Sequence, residues 1–324
     1  MNMKNFRDGR GAARGGFVLV SVLWILAILT VVSLGFARRA MLERQMAWYA
    51  LDREQAQHMA RGAVERALLE LRNKALLDEF NNQPGYTGPD QRWAFSVDLF
   101  RESGYFQETA GGDFAEDICT YTIEDCERRI SLNHAPANYL EGLEALRFGT
   151  VEEILERRVS KKAQYRPRRF HSVDELRGIQ DFSPEAWYGR RGEAGLRDLL
   201  TVWGDYGGRV NVNTASAEVL KAIPDIDRRL VDTIVEYRAG DDGVLDTRDD
   251  RSFRTIDELG RKLGVSGEKM TPLRTFCKTD SRYFIIKARA TRRRGKINAF
   301  CNVVVELRGG RPAILQWKEQ AVGS

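Results

Sequence analysis

Nothing in this sequence is spaced for catalysis. It has no GxSxG, no HExxH, no GxxxxGK[ST] loop and no cysteine–histidine grouping at nucleophile spacing. Histidine is scarce, and the three present (His58, His134 and His171) are too scattered to form a zinc site. Long apolar runs are scarce as well. Beyond residues 17–36 no stretch reaches the roughly 18 apolar residues of a crossing helix, so a single span is expected. A strong excess of one charge is also lacking. The formal charge is +5, but residues 1–16 hold Lys4, Arg7, Arg10 and Arg14 against Asp8, so 5 − 3 leaves +2 for the rest. A balance that small does not point to nucleic acid. With 43% hydrophobic and 30% charged residues, the chain as a whole has the composition of a globular protein.

What the chain does have is a junction near its start. Gly15, Gly16 and Phe17 stand between the basic leader and FVLVSVLWILAILTVVSLGF, an uncharged, proline-free run over residues 17–36. Twenty residues at 1.5 Å each suffice to cross a bilayer core. A secretory signal would place its small residues after the apolar run, whereas here they precede it. The junction resembles a type IV prepilin peptidase site, with cleavage between Gly16 and Phe17 leaving the span on the mature chain. An ordinary N-terminal anchor is the alternative. The bases before the span place the N-terminus in the cytoplasm and export the body, although Arg38 and Arg39 stand on the far side.

No proline occurs over residues 37–80, and Met41, Met46, Tyr49, Met59, Val64, Leu68, Leu71 and Leu76 recur at helical spacing. This predicts a helix continuing the span, the two together making a rod of about 90 Å, until NNQPGYTGP breaks it at residues 81–89. Alternating residues 92–100 and 118–125 predict strands, as do 283–291, 297–307 and 313–318 in a closing meander. The intervening segment reads as helical. The expected organisation is a leader at 1–16, a transmembrane helix at 17–36, its continuation at 37–80, a first β part at 81–135, an inserted α-helical domain at 136–278 and closing strands at 279–324. The fold class is α+β, a long N-terminal helix on an antiparallel sheet with an all-α insert.

Within the insert, VNVNTASAEVLKAIPDIDRRLVDTIVEYR (residues 210–238) resembles a helix-hairpin-helix, or SAM-like, unit. Thr214 or Ser216 can cap a helix from Ala217, and Leu220, Ile223, Leu230, Ile234 and Tyr237 can bury one face. The hairpin carries Asp225 and Asp227 where glycines would let a phosphate approach, so contact with a phosphodiester is disfavoured. FHSVDELRGIQ (170–180) reads as a weaker second copy, and FRTIDELGRKL (253–263) repeats its opening.

Taken in order, the Gly-Phe junction, long helix, strands, IEDCERRISLNHAP (123–136), DELRGI, NVNTAS and closing meander resemble the minor pseudopilin protein K family of type II secretion. The resemblance implies a pilin-like fold and a non-enzymatic tip subunit of the pseudopilus, in the inner membrane with its body in the periplasm. It implies pseudopilins I and J and the prepilin peptidase as partners, and no nucleic acid. Ser21, fifth after the junction, fits that place. Most pilins carry glutamate there to meet a neighbour's N-terminal ammonium, which a tip subunit does not have. The competing reading is a membrane-anchored DNA receptor built on helix-hairpin-helix units.

Two features are left open. The loop GDDGVLDTRDDRSF (240–253) brings Asp241, Asp242, Asp246, Asp249 and Asp250 together, enough oxygens to suggest calcium, but off the EF-hand spacing and with Arg248 and Arg251 among them. A solvated acidic loop is the alternative. Cys119, Cys126, Cys277 and Cys301 would meet an oxidising periplasm. Four cysteines allow three connectivities, and sequence does not choose among them. A strand over 118–125 would keep Cys119 from Cys126, Cys277–Cys301 stays plausible, and free buried thiols are the alternative.

Overall fold

The computed structural model describes residues 13–80, 85–99, 117–158, 169–190, 192–245, 247–293 and 295–323. The chain divides into two units, Met1–Gln55 and Ala56–Ser324, and helix α1 (Ala13–Phe80) contributes to both. In the first unit the apolar window of α1 has no buried residue, and the helix is long and apolar enough to cross a membrane. The polar groups inside it are satisfied locally. Ser21 Oγ donates to Phe17 O at 2.8 Å and Thr30 Oγ1 to Leu26 O at 2.7 Å, so neither hydroxyl faces hydrocarbon without a partner.

In the second unit α1 buries Ala56, Ala60, Ala63, Val64, Ala67 and Leu71, one helical face made mostly of small side chains. Of the stripe expected from sequence, Val64 and Leu71 are buried, and Met59 and Leu68 pack partly. Met41, Met46, Tyr49 and Leu76 are exposed. Pattern reading weights large side chains, whereas a helix lying close on a sheet needs alanine.

That sheet has five antiparallel strands in sequence order: β1 (Val97–Asp98), β2 (Ile118–Asp125), β3 (Tyr283–Arg292), β4 (Ile297–Arg308) and β5 (Arg311–Gly323). Alternation decides the faces. Phe284, Ile286, Ala288 and Ala290 enter the core with Tyr121, Ile123 and Cys301, while Lys287 and Arg289 are exposed. The strand expected over residues 92–100 is a correction. A 3-10 turn, Arg92–Ala94, precedes a two-residue strand, and Trp93 is buried edge-on against Phe284 at 5.4 Å. Trp93 plugs the core instead of alternating across a sheet.

The inserted body enters the chain between β2 and β3 and begins near Ile130, earlier than the expected 136, because Ile130–Ser131 already pairs with Leu200–Thr201 inside it. It consists of one unit built twice. Val210–Asn211 pairs in parallel with Cys277–Lys278 as Ile130–Ser131 does with Leu200–Thr201. Helices α2 (Phe148–Arg158) and α3 (Arg228–Arg238) correspond, each with 11 residues. Residues 170–180, read from sequence as a copy of the 210–238 motif, are instead the counterpart of 253–263. The true counterpart of 210–238 is 130–158. Ser172 and Thr255 cap the two equivalent segments, with Glu175 and Glu258 accepting backbone N–H groups in return. The body and the sheet each keep a hydrophobic core of their own.

Candidate functional site

Two asparagines 80 positions apart do the same work in the two units. Asn133 Oδ1 accepts Phe170 N at 2.8 Å, and its amide donates to Phe170 O at 3.0 Å and Val202 O at 2.7 Å. Asn213 Oδ1 accepts Phe253 N at 2.8 Å, and its amide donates to Phe253 O at 2.9 Å, with Thr87 O and Thr279 O also in reach. An arginine follows in each unit, half-buried at Arg158 and buried at Arg238. Arg158 donates to Leu132 O and Ala135 O, both at 2.6 Å, and Arg238 donates to Ala215 O at 2.6 Å and Val212 O at 3.3 Å. Burial lowers Arg158 to about 10. The NVNTAS motif is therefore a clamp on backbone groups that no regular element satisfies.

The second unit extends that clamp to the sheet. Asp125, at the end of β2, accepts Glu127 N at 2.8 Å on one oxygen. On the other it accepts Asn211 Nδ2 at 2.9 Å, Thr214 Oγ1 at 2.7 Å and Ser281 Oγ at 2.7 Å. Thr87 joins from the loop after α1, its N–H donating to Thr279 O at 2.8 Å and its hydroxyl accepting Ser281 N at 3.0 Å. Glu127 lies 2.9 Å from Lys278 Nζ and accepts Arg282 N at 2.8 Å. Burial pushes the Glu127 carboxyl up to about 7, against the pull of Lys278. Sequence reading singled out this stretch for family likeness and missed the roles. The signal available was the 80-residue recurrence of an asparagine before Ala-Pro or Ala-Ser.

The helix cap expected at Thr214 or Ser216 belongs to Ser216, whose Oγ accepts Val219 N at 3.3 Å, leaving Thr214 for Asp125. In the hairpin, Asp225 adopts φ +56°, the left-handed conformation a glycine takes without strain. Asp227 caps α3 by accepting Arg229 N at 3.0 Å and stands 3.6 Å from Lys269.

The acidic loop is closed by its own hydrogen bonds. Asp249 Oδ2 accepts Asp241 N at 2.7 Å and Asp242 N at 3.0 Å, and its other oxygen accepts Thr247 Oγ1 at 2.7 Å. These donors hold its carboxyl far below the usual range, Thr247 contributing most. Arg251 pairs with Asp241, Asp250 is buried, and Asp246 lies outside the described residues. Among the described residues no three acidic, histidine or cysteine side chains converge on a point that could hold a cation. Among the described residues, the loop's carboxylates are engaged by backbone N–H groups, Thr247 and Arg251.

The junction lies at the edge of what is described. Gly16 and Phe17 are helical in backbone, and residues 1–12 fall outside the described residues. The expected bridge between Cys277 and Cys301 is not made. Cys277 belongs to the core of the body and Cys301 to that of the sheet, and all four thiols are free and buried. Burial pushes Cys277 to about 12 and Cys119 and Cys301 to about 11, which keeps them unreactive.

Residues 210–275, almost the whole second unit, match the family model described as type II secretion system (T2SS), protein K. That segment is similar to protein K of the type II secretion system. The match lies within the inserted body, and the rest of the described chain has the helix-on-sheet α+β fold set out above. A similar solved structure is a chain from the crystal structure of the GspK-GspI-GspJ complex of the enterotoxigenic Escherichia coli type 2 secretion system. It is 16% identical, with a TM-score of 0.48 over 88% of this chain and 99% of that one. No curated protein sequence matches this chain.

Proposed function

We propose that this chain is a protein K minor pseudopilin, a tip subunit of the pseudopilus assembled with pseudopilins I and J, anchored once in the inner membrane and carrying its body in the periplasm. The observation that carries this reading is the joining, in one chain, of a protein K segment at 210–275 to a helix apolar enough to cross a membrane. Ser21 supports the tip position, because its hydroxyl is satisfied by Phe17 O within its own helix and needs no ammonium from a neighbour. A structural role agrees with a sequence that has no catalytic constellation, and no observation favours the DNA-receptor reading.

Prepilin peptidase removes the leader between Gly16 and Phe17 in this proposal. The full chain, expressed with its I and J partners and an active peptidase, is expected to begin at Phe17 by mass spectrometry and to copurify with both. Gly16→Leu keeps the leader. An intact Met1 in the wild type, or a processed protein that captures neither partner, contradicts the proposal.

Calcium at the acidic loop is a separate proposal, supported by the loop's charge. The ion would draw on Asp241, Asp242, Asp246, Asp249 and Asp250 and would have to displace Arg251 from Asp241. Millimolar calcium should then raise the melting temperature of the wild type and not that of Asp249→Ala with Asp250→Ala. No shift in either protein leaves a hydrogen-bonded turn.

A further inference from the structure

The body and the sheet meet through a polar layer. The two hydrophobic cores share no residue, and between them lie Thr87, Asp125, Glu127, Asn211, Lys278 and Ser281, all buried. The chain enters the body once, after Asp125, and leaves it once, after Lys278, and both crossings belong to this layer. An open cleft of about 610 Å³ runs beside it, lined by Trp93, Phe95 and Glu124 on the sheet side and Ser216, Glu218 and Leu245 on the body side. Apolar contact would tolerate sliding, whereas hydrogen bonds are directional and an unpaired buried donor is costly. The cleft leaves room for the body to turn if those bonds are lost.

We propose that Asp125 keys a fixed joint, so that its carboxylate, held from Glu127 N, Asn211, Thr214 and Ser281, sets one orientation of the body against the sheet. Both parts keep their own cores when the joint is opened. The body is therefore released by losing Asp125 and is not unfolded by it.

The test uses the full chain in detergent, with spin labels at Glu236→Cys on the body and Asn302→Cys on the sheet. Both positions are exposed, whereas the four native cysteines are buried. The wild type is expected to give one narrow distance distribution and a single melting transition. Asp125→Ala is expected to broaden or split the distance and to separate the melting of the two cores. If Asp125→Ala does not fold, Thr214→Val with Ser281→Ala, which leaves Asn211 and Glu127 N on the carboxylate, should still widen the distribution measurably. A distribution that stays narrow in a folded variant whose stability has dropped would overturn the joint and leave Asp125 as a purely stabilising residue. A broad distribution in the wild type would overturn it as well.

Discussion

In the first unit of the body, Ser131 and His134 occupy the positions that Asn211 and Thr214 hold in the second. Ser131 Oγ and His134 Nδ1 lie 3.3 Å apart, and the ring of His134 meets Tyr206 edge-on at 5.1 Å. The segment after the first unit covers that face so closely that a Cβ at Gly208 would sit 2.6 Å from His134 O. In the second unit the same positions reach out of the body to Asp125 on β2. The asparagine clamp and the arginine that follows it are common to both. Residues shared by the units hold each one together, and residues that differ join one of them to the sheet.

The largest effect expected from that comparison is at the clamps. Asn213→Ala should cost about 3 kcal/mol, because fully buried backbone groups of Phe253 lose their partners, and Asn133→Ala, at a half-exposed site, about 1–2 kcal/mol. Denaturant titration measures both, and a reversed order would contradict the deeper burial of the second clamp. Arg238→Met and Arg158→Met should each cost about 2 kcal/mol and resemble one another, since each arginine serves two carbonyls of its own unit.

A smaller effect separates the seam by pH. Glu127 is surrounded by Asp125, Lys278, Asp205 and Tyr283. Its folded value near 7 lies above the ordinary 4.5. Its contribution to stability is then complete below about pH 4.5 and is lost as pH rises through 7. Glu127→Gln should remove that fall, so wild-type and variant stability curves diverge between pH 4.5 and 7. Parallel curves would contradict it. The smallest effect is at the hairpins. Asp225→Gly should stabilise by about 0.5–1 kcal/mol by relieving a left-handed residue, while Ala145→Gly at the equivalent position, where φ is not positive, should destabilise by a similar amount.

Much of this molecule was legible in its sequence. The long apolar helix rests on an uncharged run. The strands at 118–125 and in the closing meander, and the helical nature of the insert, rest on periodicity that burial enforces. Each was found, the last strand running on to Arg311–Gly323. The face of α1 against the sheet was misread because Ala56, Ala60, Ala63 and Ala67 carry little hydrophobic signal. The strand at 92–100 was misread because Trp93 is there to fill space. The duplication was half seen. The repeated SxDEL-like openings are local, but Asn133 and Asn213 match only when positions 80 apart are compared. Asp125 was invisible as a keystone, since its partners come from positions 127, 211, 214 and 281, and only folding brings them together.

The claim that this chain serves type II secretion as a minor pseudopilin is tested most directly by restoring export in a strain lacking its own protein K. Wild-type protein should return the secreted cargo to the medium. Ser21→Glu, which buries an acid without a partner at the tip, should restore clearly less at equal protein level. Processed, folded and membrane-inserted wild-type protein that restores no secretion would contradict the account.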